Sequence, residues 1–320
     1  MTPFAFIFPG QGSQSVGMLD AWADHPAVTA VVKEASDALG EDVAALIKHG
    51  PKEALGQTTN TQPVMLVAGV AAYRAWLAET QDRGGAVPAV VAGHSLGEYS
   101  ALVASGVLSL KDAVQTVRLR AAAMQEAVPV GTGAMAAVLG MTAADVIAIC
   151  AEATAPGGVA AGEIAEAANF NDPMQTVISG TQLGIEKVSE LLKMRGAKRC
   201  LPLPVSAPFH SSLMKPAAEK LRTKLATITF NTPQIAVVNN IDVAVHTDAD
   251  KIRNALYRQA FGPVRWVECV AAIKARGVST LIECGPGKVL SGMTKRIDAD
   301  LVSGAVYDPA SLAEAKGLVG

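Results

Sequence analysis

Gly93-His94-Ser95-Leu96-Gly97 sets a serine between two glycines directly after the apolar run Val87 to Ala92. This is the G-x-S-x-G pattern of a nucleophile elbow, a tight strand-to-helix turn that holds the serine hydroxyl exposed on a strained backbone. The glycines matter sterically, because without Cβ atoms the strand and the helix after it can approach each other. The apolar run before the motif and the helical stretch LGEYSALVAS after it supply the context that the bare pattern lacks. An elbow also aims the amide of the residue after the serine, Leu96, from a helix N-terminus toward an oxyanion forming on a substrate carbonyl. A second donor is needed, and PGQGSQ at 9–14 offers one, because Gly10 and Gly12 allow the backbone of Gln11 to face inward. That stretch is neither a dinucleotide fingerprint nor a phosphate loop, since the remaining glycines and the lysine are missing.

A serine hydroxyl is a weak nucleophile until a base takes its proton. Of five histidines, His25 and His49 sit in polar helix-end contexts, His94 is fixed beside the serine by the elbow, and His246 lies in a polar loop. His210, in VSAPFHSSLMKP, is the remaining choice. It stands just before a helix, whose N-terminal dipole disfavours the imidazolium and keeps the ring neutral and basic. A further charged group lies in RLRAAAM, where the spacing of Leu110, Val114, Val117, Ala121 and Met124 puts Arg118 and Arg120 on opposite borders of an apolar helix face. Periodicity alone does not choose between those two arginines.

The elements that must position these groups emerge from the apolar pattern. Phe4 to Phe8 read as a buried strand stopped by Pro9 and Gly10, and Val87 to Ala92 repeat the arrangement. Two buried strands, each ending in a glycine loop, imply a parallel sheet covered by helices with its ligand site beyond the carboxyl ends of the strands. Ala27 to Leu39 and Pro63 to Ala78 have helical spacing. From Gly133 the rhythm changes to a strand AMAAVLGM, a helix Thr142 to Ala155, strands Ile164 to Asn169 and Gln175 to Ser179, a helix Leu183 to Arg195 and a strand RCLPLPV. That βαββαβ order is a ferredoxin-like signature. A helix Leu213 to Leu225, a strand Ile235 to Asn239, helices Ile252 to Ala260 and Val267 to Ala275, and a strand STLIEC closing on GPGK then return to the first style. The predicted fold is α/β: a parallel-sheet, α/β-hydrolase-like large domain built from 1–133 and 206–320, with an inserted ferredoxin-like small domain at 134–205. EATAPGGVAAGE at 152–163 is the one stretch expected to be mobile.

Composition narrows the function classes. The formal charge of -2 gives no reason to invoke nucleic acid, whose phosphates call for a strongly basic surface. No apolar run approaches the roughly 18–20 residues of a membrane span, and the N-terminal segment enters a strand with no basic signal region, so the expected setting is the cytoplasm, with no membrane partner. Cys150, Cys200, Cys269 and Cys284 are scattered without C-x-x-C pairing, which predicts reduced, mostly buried thiols and neither a zinc site nor a disulfide framework. No cofactor or metal is expected, and nothing calls for an obligate interface, so the predicted state is a monomer.

FPGQGSQ, GHSLGEYSAL, LRAAAMQEAVPVGTGAM, NFNDPMQTVISG, PVSAPFHSSLM and RQAFGPVRW stand in one chain in this order. With them the sequence closely resembles the malonyl-CoA:acyl carrier protein transacylases of bacterial fatty acid synthesis, over about residues 1 to 295. The resemblance implies that Ser95 is the nucleophile, His210 its general base, and the amides of Gln11 and Leu96 the oxyanion hole. It implies that the backbone carbonyl of Gln259, in YRQAFGP, orients the histidine in place of a triad aspartate. It makes Arg120 the partner of the malonyl carboxylate, with a fixed guanidinium fork favouring malonyl over acetyl. Phe209 takes the position where related acyltransferases differ between malonyl and methylmalonyl users, and Asn171 and Gln175 match residues that line the acyl pocket. The glycine that commonly follows the arginine is Ala121 in this chain.

The implied substrates are malonyl-CoA and the phosphopantetheine thiol of acyl carrier protein, joined by a ping-pong cycle through a malonyl-serine. Acyl carrier proteins are acidic, so Lys193, Arg195, Lys198 and Arg199, or Lys215, Lys220, Arg222 and Lys224, are candidate docking clusters. Three rivals stand beside this expectation. An α/β-hydrolase esterase or thioesterase has a different order of catalytic residues and no such inserted unit. A polyketide acyltransferase would share the chemistry with another carrier. A silent carrier-binding module would not retain the serine, histidine and arginine together.

Overall fold

FAFIF at 4–8 has no polar side chain on either face, so it is stable only where both faces are covered, and all five of its residues are buried. The computed structural model describes every residue except 1, 82–84 and 206. Its strands are β1 (Phe4–Phe8), β2 (Val90–Gly93), β3 (Gly133–Leu139), β4 (Ala165–Asp172), β5 (Gln175–Thr181), β6 (Arg199–Pro202), β7 (Ala236–Val238), β8 (Thr280–Cys284) and β9 (Val302–Val306). One sheet has the order β7-β2-β1-β8-β9, with every neighbouring pair parallel. The chain is therefore mixed α/β around a parallel sheet, and β1 lies at the centre of that sheet.

The register of the central pair places the site. Phe8 is level with Gly93, so β1 and β2 end side by side and the loops after them meet. The His94 amide donates to the Phe8 carbonyl at 2.9 Å, and a Cβ on Gly10 would come within 2.7 Å of the His94 carbonyl oxygen. The PGQGSQ loop and the serine turn are thus neighbours by strand pairing.

The helix Thr58–Glu79 supports this sheet from one side, and its residues from Thr61 to Tyr73 are all buried. It is apolar all round, as an interior helix must be. Phe6 meets Tyr73 and Trp76 edge to face at 5.9 and 5.2 Å. The helix begins ahead of Pro63, where the sequence predicted its start. Side chains secure the earlier turn: Thr61 Oγ1 donates to the Leu55 carbonyl at 2.7 Å, and Asn60 Nδ2 to the Ala54 carbonyl at 2.9 Å. Those bonds offset the one that the proline cannot donate.

The second sheet is antiparallel, in the order β4-β5-β3-β6. Helices Ala143–Thr154 and Gln182–Met194 supply the rest of the predicted βαββαβ order. Alternation along β3 divides its two faces: Ala136 and Val138 join the core under those helices, while Met135 and Ala137 join the core of the parallel sheet. Backbone bonds across the junction, Phe170 amide to Val264 carbonyl at 2.9 Å and Val264 amide to Ala168 carbonyl at 2.8 Å, tie β4 to the larger unit.

Several sequence expectations shift. The second strand starts at Val90 because Pro88 lacks an N–H, and RCLPLPV ends as a strand at Pro202 for the same reason. The stretch at 152–163 begins as the end of the helix Ala143–Thr154 and continues as bonded turns, with the Ala160 amide donating to the Ala153 carbonyl at 2.8 Å and Ala160 buried. β9 and the helix Pro309–Val319 lie beyond the predicted elements. VSGAV carries one glycine and three exposed or half-buried residues, a weak pattern for a strand. All four cysteines are free and buried. Among the described residues no helix is long and apolar enough to cross a membrane.

A Cβ on Gly97 would lie 2.1 Å from the Phe8 carbonyl oxygen, whereas one on Gly56 meets nothing within 4 Å. Gly97→Ala is expected to lower stability by roughly 1–3 kcal/mol, read as a lower urea midpoint. Gly56→Ala should leave the midpoint in place or raise it slightly.

Candidate active site

Ser95 occupies the left-handed region at φ 53°, a conformation that a side chain adopts only when its surroundings impose it. Two constraints impose it. The glycines let the chain fold onto itself, since a Cβ on Gly93 would fall 1.9 Å from the Gly97 carbonyl carbon. Asn240, fully buried in the loop after β7, then holds the turn from both sides: its Oδ1 accepts from the Ser95 amide at 2.7 Å and its Nδ2 donates to the Gly93 carbonyl at 2.7 Å.

His210 also has a positive φ, 61°. Its Nε2 lies 2.6 Å from Ser95 Oγ, while Nδ1 faces the carbonyls of Gln259 at 2.9 Å and Gly262 at 3.1 Å. Carbonyls only accept, so Nδ1 carries the proton and the Nε2 lone pair faces the serine. Burial and the neighbouring Arg120 guanidinium push this imidazole down to about 3, so the ring is neutral.

Arg120 is 2% exposed. Its Nη1 donates to Gln62 Oε1 at 2.8 Å, and its Nη2 donates to Ser95 Oγ and to Gln259 Oε1, each at 3.2 Å. The Tyr99 ring lies 5.7 Å from the guanidinium carbon, and among the described residues Nε has no partner. A buried guanidinium with only uncharged partners is costly to keep, and this one projects into the cleft. Arg118, the other arginine left open by periodicity, turns away to Asn60 and to the carboxylate of Glu41.

A cleft of about 200 Å³ opens on these groups and is lined by Gln11, Leu96, Asn171 and Phe209 besides the serine, histidine and arginine. Neither the Gln11 nor the Leu96 amide takes part in the turn and loop hydrogen bonds of the described residues. Gln175 is the predicted pocket residue that this lining does not include. It shares a strand face with Val177, which lines the cleft, but stands at the very start of β5 opposite Leu139, and so lies outside the lining.

Five features escaped the sequence reading. Asn240 was hidden in an ordinary polar loop, and the bonds of Gln62 and the Gln259 side chain depend on long-range packing. His94 Nε2 is 2.9 Å from Asn171 Oδ1, which joins the elbow to β4. Glu98 is a buried acid in the first turn of the helix Gly97–Ala104, and its Oε2 accepts from the Asn240 amide and from Gln259 Nε2, each at 3.0 Å. Burial pushes that carboxyl up to about 7. An acidic residue inside an otherwise apolar helix was the available signal.

Among known proteins, residues 5–300 match the acyl transferase domain family. The chain is 52% identical over 316 residues to the malonyl CoA-acyl carrier protein transacylase of Escherichia coli (strain K12), covering 98% of this chain and 99% of that protein. The solved acyl-carrier-protein S-malonyltransferase of Burkholderia pseudomallei 1710b superposes with a TM-score of 0.93 at 60% identity, covering 98% and 99% of the two chains. A malonyl-transacylase solved with its type II polyketide synthase acyl-carrier protein gives a TM-score of 0.93 at 48% identity, again covering 98% and 99%.

A histidine held below its ordinary value of 6.5 contributes stability that is complete above that value and is lost as the pH falls toward 3. Between pH 7 and pH 5 the wild type should therefore lose about 2 kcal/mol more than His210→Asn, measured by urea unfolding. Equal losses would show that the ring titrates as it does in the unfolded chain.

Proposed function

The chain belongs to the malonyl-CoA:acyl carrier protein transacylase family of acyl transferases, and from that membership we propose a cycle in which Ser95 carries the malonyl group. The protein is an acyltransferase that moves malonyl from malonyl-CoA to acyl carrier protein. Ser95 Oγ attacks the thioester carbonyl while His210 Nε2 takes its proton, and the oxyanion rests on the amides of Leu96 and Gln11. The tetrahedral intermediate collapses with cleavage of the C–S bond, and the histidine returns the proton to the departing CoA sulfur. In the second half the pantetheine thiol of the carrier protein gives its proton to His210 and attacks the serine ester; the acyl C–O bond breaks, His210 returns the proton to Ser95 Oγ, and malonyl leaves as the carrier thioester. Nucleophile, base and oxyanion donors all come from the chain, so the cycle balances without a cofactor.

The observation that carries this reading is the Arg120 guanidinium, buried among uncharged partners 3.2 Å from the Ser95 hydroxyl. A substrate carboxylate supplies the anionic hydrogen-bond partner that the guanidinium lacks, which acetyl cannot do. It also cancels the positive field that depresses His210, so the base gains strength when the correct acyl group is present. The Gln259 and Gly262 carbonyls stand where a triad would place a carboxylate, holding the tautomer without adding charge. Phe209 and Asn171 border the acyl group in the cleft.

We also read the architecture as two domains, a hydrolase-like unit from 1–133 and 206–320 with 134–205 inserted as a ferredoxin-like unit. The strand order β4-β5-β3-β6 supports the second term. Position 206, where the boundary falls, lies outside the described residues. The solved complex of a related transacylase with a polyketide carrier favours testing such a carrier beside a fatty acid one.

Intact mass spectrometry after brief mixing with malonyl-CoA should show a malonyl-sized adduct on Ser95 that Ser95→Ala lacks and holo acyl carrier protein discharges. CoA release without an adduct, or by hydrolysis alone, would return the esterase reading. Arg120→Ala should reduce malonyl transfer by about a hundredfold or more while acetyl transfer is kept or raised. Equal losses for both acyl groups would remove the arginine from its proposed role.

A further inference from the structure

The catalytic cycle leaves Glu98 without a role, although this carboxyl is sealed beneath the elbow at 2% exposure. Its Oε2 accepts from Gln259 Nε2, which also donates to the Ser95 carbonyl at 2.9 Å. Both protons of that amide nitrogen therefore point at acceptors, and Gln259 Oε1 is left facing the Arg120 Nη2 at 3.2 Å. Turned over, the amide would present its N–H groups to the guanidinium and its oxygen to a carboxylate and a carbonyl. The same residue's backbone carbonyl holds His210 Nδ1. One glutamine thus joins acid, arginine, serine and histidine, and the acid decides which way its amide faces.

We propose that Glu98 is a positioning residue for malonyl transfer: through Gln259 it orients Arg120 and the His210 support, and it is the counter-charge that the substrate carboxylate displaces. This rests on Arg120 meeting the malonyl group. Among the described residues Arg120 bonds only uncharged groups, so Glu98 balances its charge one amide away. When malonyl binds, two carboxylates share one buried guanidinium, and the surplus negative charge is relieved by a proton on Glu98.

The surroundings allow that protonation. Burial already holds Glu98 at about 7. From the loop after β7, Asp242 adds repulsion and is itself kept ionised by Arg258 and His246. Tyr99 on the same helix and Cys269 on the helix Trp266–Lys274 are pushed up by burial and stay neutral. His246 and Asn239 share with Glu98 the wall of a cavity of about 10 Å³, close to the space of a single water. A second oxygen can then take the proton while Oε2 keeps its two donors. Because Glu98 is ionised above its raised value, malonyl binding takes up a proton and weakens as the pH rises through 7 and beyond.

Steady-state transfer to holo acyl carrier protein from pH 6 to 8.5, with malonyl-CoA and acetyl-CoA as donors, separates KM from kcat. Both donors carry the same CoA phosphates, so the ratio of the malonyl-CoA KM to the acetyl-CoA KM isolates the acyl carboxylate. In the wild type this ratio should rise roughly five- to tenfold across the range. Glu98→Gln keeps an acceptor oxygen without the charge, and its ratio should stay flat. Glu98→Ala removes the acceptor, and kcat should fall about tenfold or more below that of Glu98→Gln with both donors, since a small misplacement of the reacting groups is felt in the rate. A ratio that rises equally in Glu98→Gln overturns the counter-charge, and a Glu98→Ala enzyme as fast as Glu98→Gln overturns the orienting role. A wild type that forms no malonyl-serine at all would instead overturn the malonyl reading and this proposal with it.

Discussion

The serine turn depends on a crossing of backbones that leaves no room for a Cβ. Where β1, the serine turn and the helix Gly97–Ala104 cross, a Cβ on Gly97 would stand 2.1 Å from the Phe8 carbonyl oxygen and one on Gly93 would strike the Gly97 carbonyl group. That contact presses the helix N-terminus against the end of the central strand. It drives Ser95 into the left-handed region, and it brings the Leu96 amide beside the PGQGSQ loop. The strain is borne by the interior around it: β1 is fully covered, Asn240 clamps the turn at both ends, and the helix Thr58–Glu79 fills one face of the sheet. The Ser95 hydroxyl is therefore held by the packed scaffold rather than by the loop it sits on.

Electrostatics in the cleft form one connected arrangement. Arg120, Gln259, Glu98 and His210 are buried, and each takes part of its environment from another. The guanidinium lowers the basicity of His210 and is balanced at a distance by Glu98. Buried charges without direct partners are unfavourable in a resting protein, and they become useful when a ligand completes the set. In the proposed cycle, specificity for a carboxylate-bearing acyl group and activation of His210 then have a common origin.

The antiparallel sheet closes the cleft from the other side. Its face bearing Met135 and Val177 joins the core of the parallel sheet, Asn171 reaches His94, and β4 exchanges backbone bonds with Val264. That last contact lies two residues past Gly262, whose carbonyl meets His210. The junction between the two sheets and the support of His210 are thus one short stretch of chain.

Much of this was legible in the residues alone. The apolar run at 4–8, the glycine-flanked serine and the βαββαβ order each depend on local pattern, and local pattern is what steric and periodicity rules read. His210 is singled out among the histidines because the other four sit at polar helix ends, in the elbow or in a polar loop. Other features had no local trace. Arg118 and Arg120 border the same helix face equally, and only packing against Gln62, Ser95 and Gln259 separates the buried guanidinium from the one that meets Glu41. Gln175 belongs by alternation to the face that lines the cleft, yet it stands at the start of β5, beyond the residues that line it. Asn240 and Glu98 are separated in sequence by more than a hundred residues and act within one hydrogen-bonded group. Sequence determined which segments become strand, turn and helix, because those depend on near neighbours. Tertiary structure decided which charges are buried, and against what, because burial is a property of the segments that arrive from elsewhere in the chain.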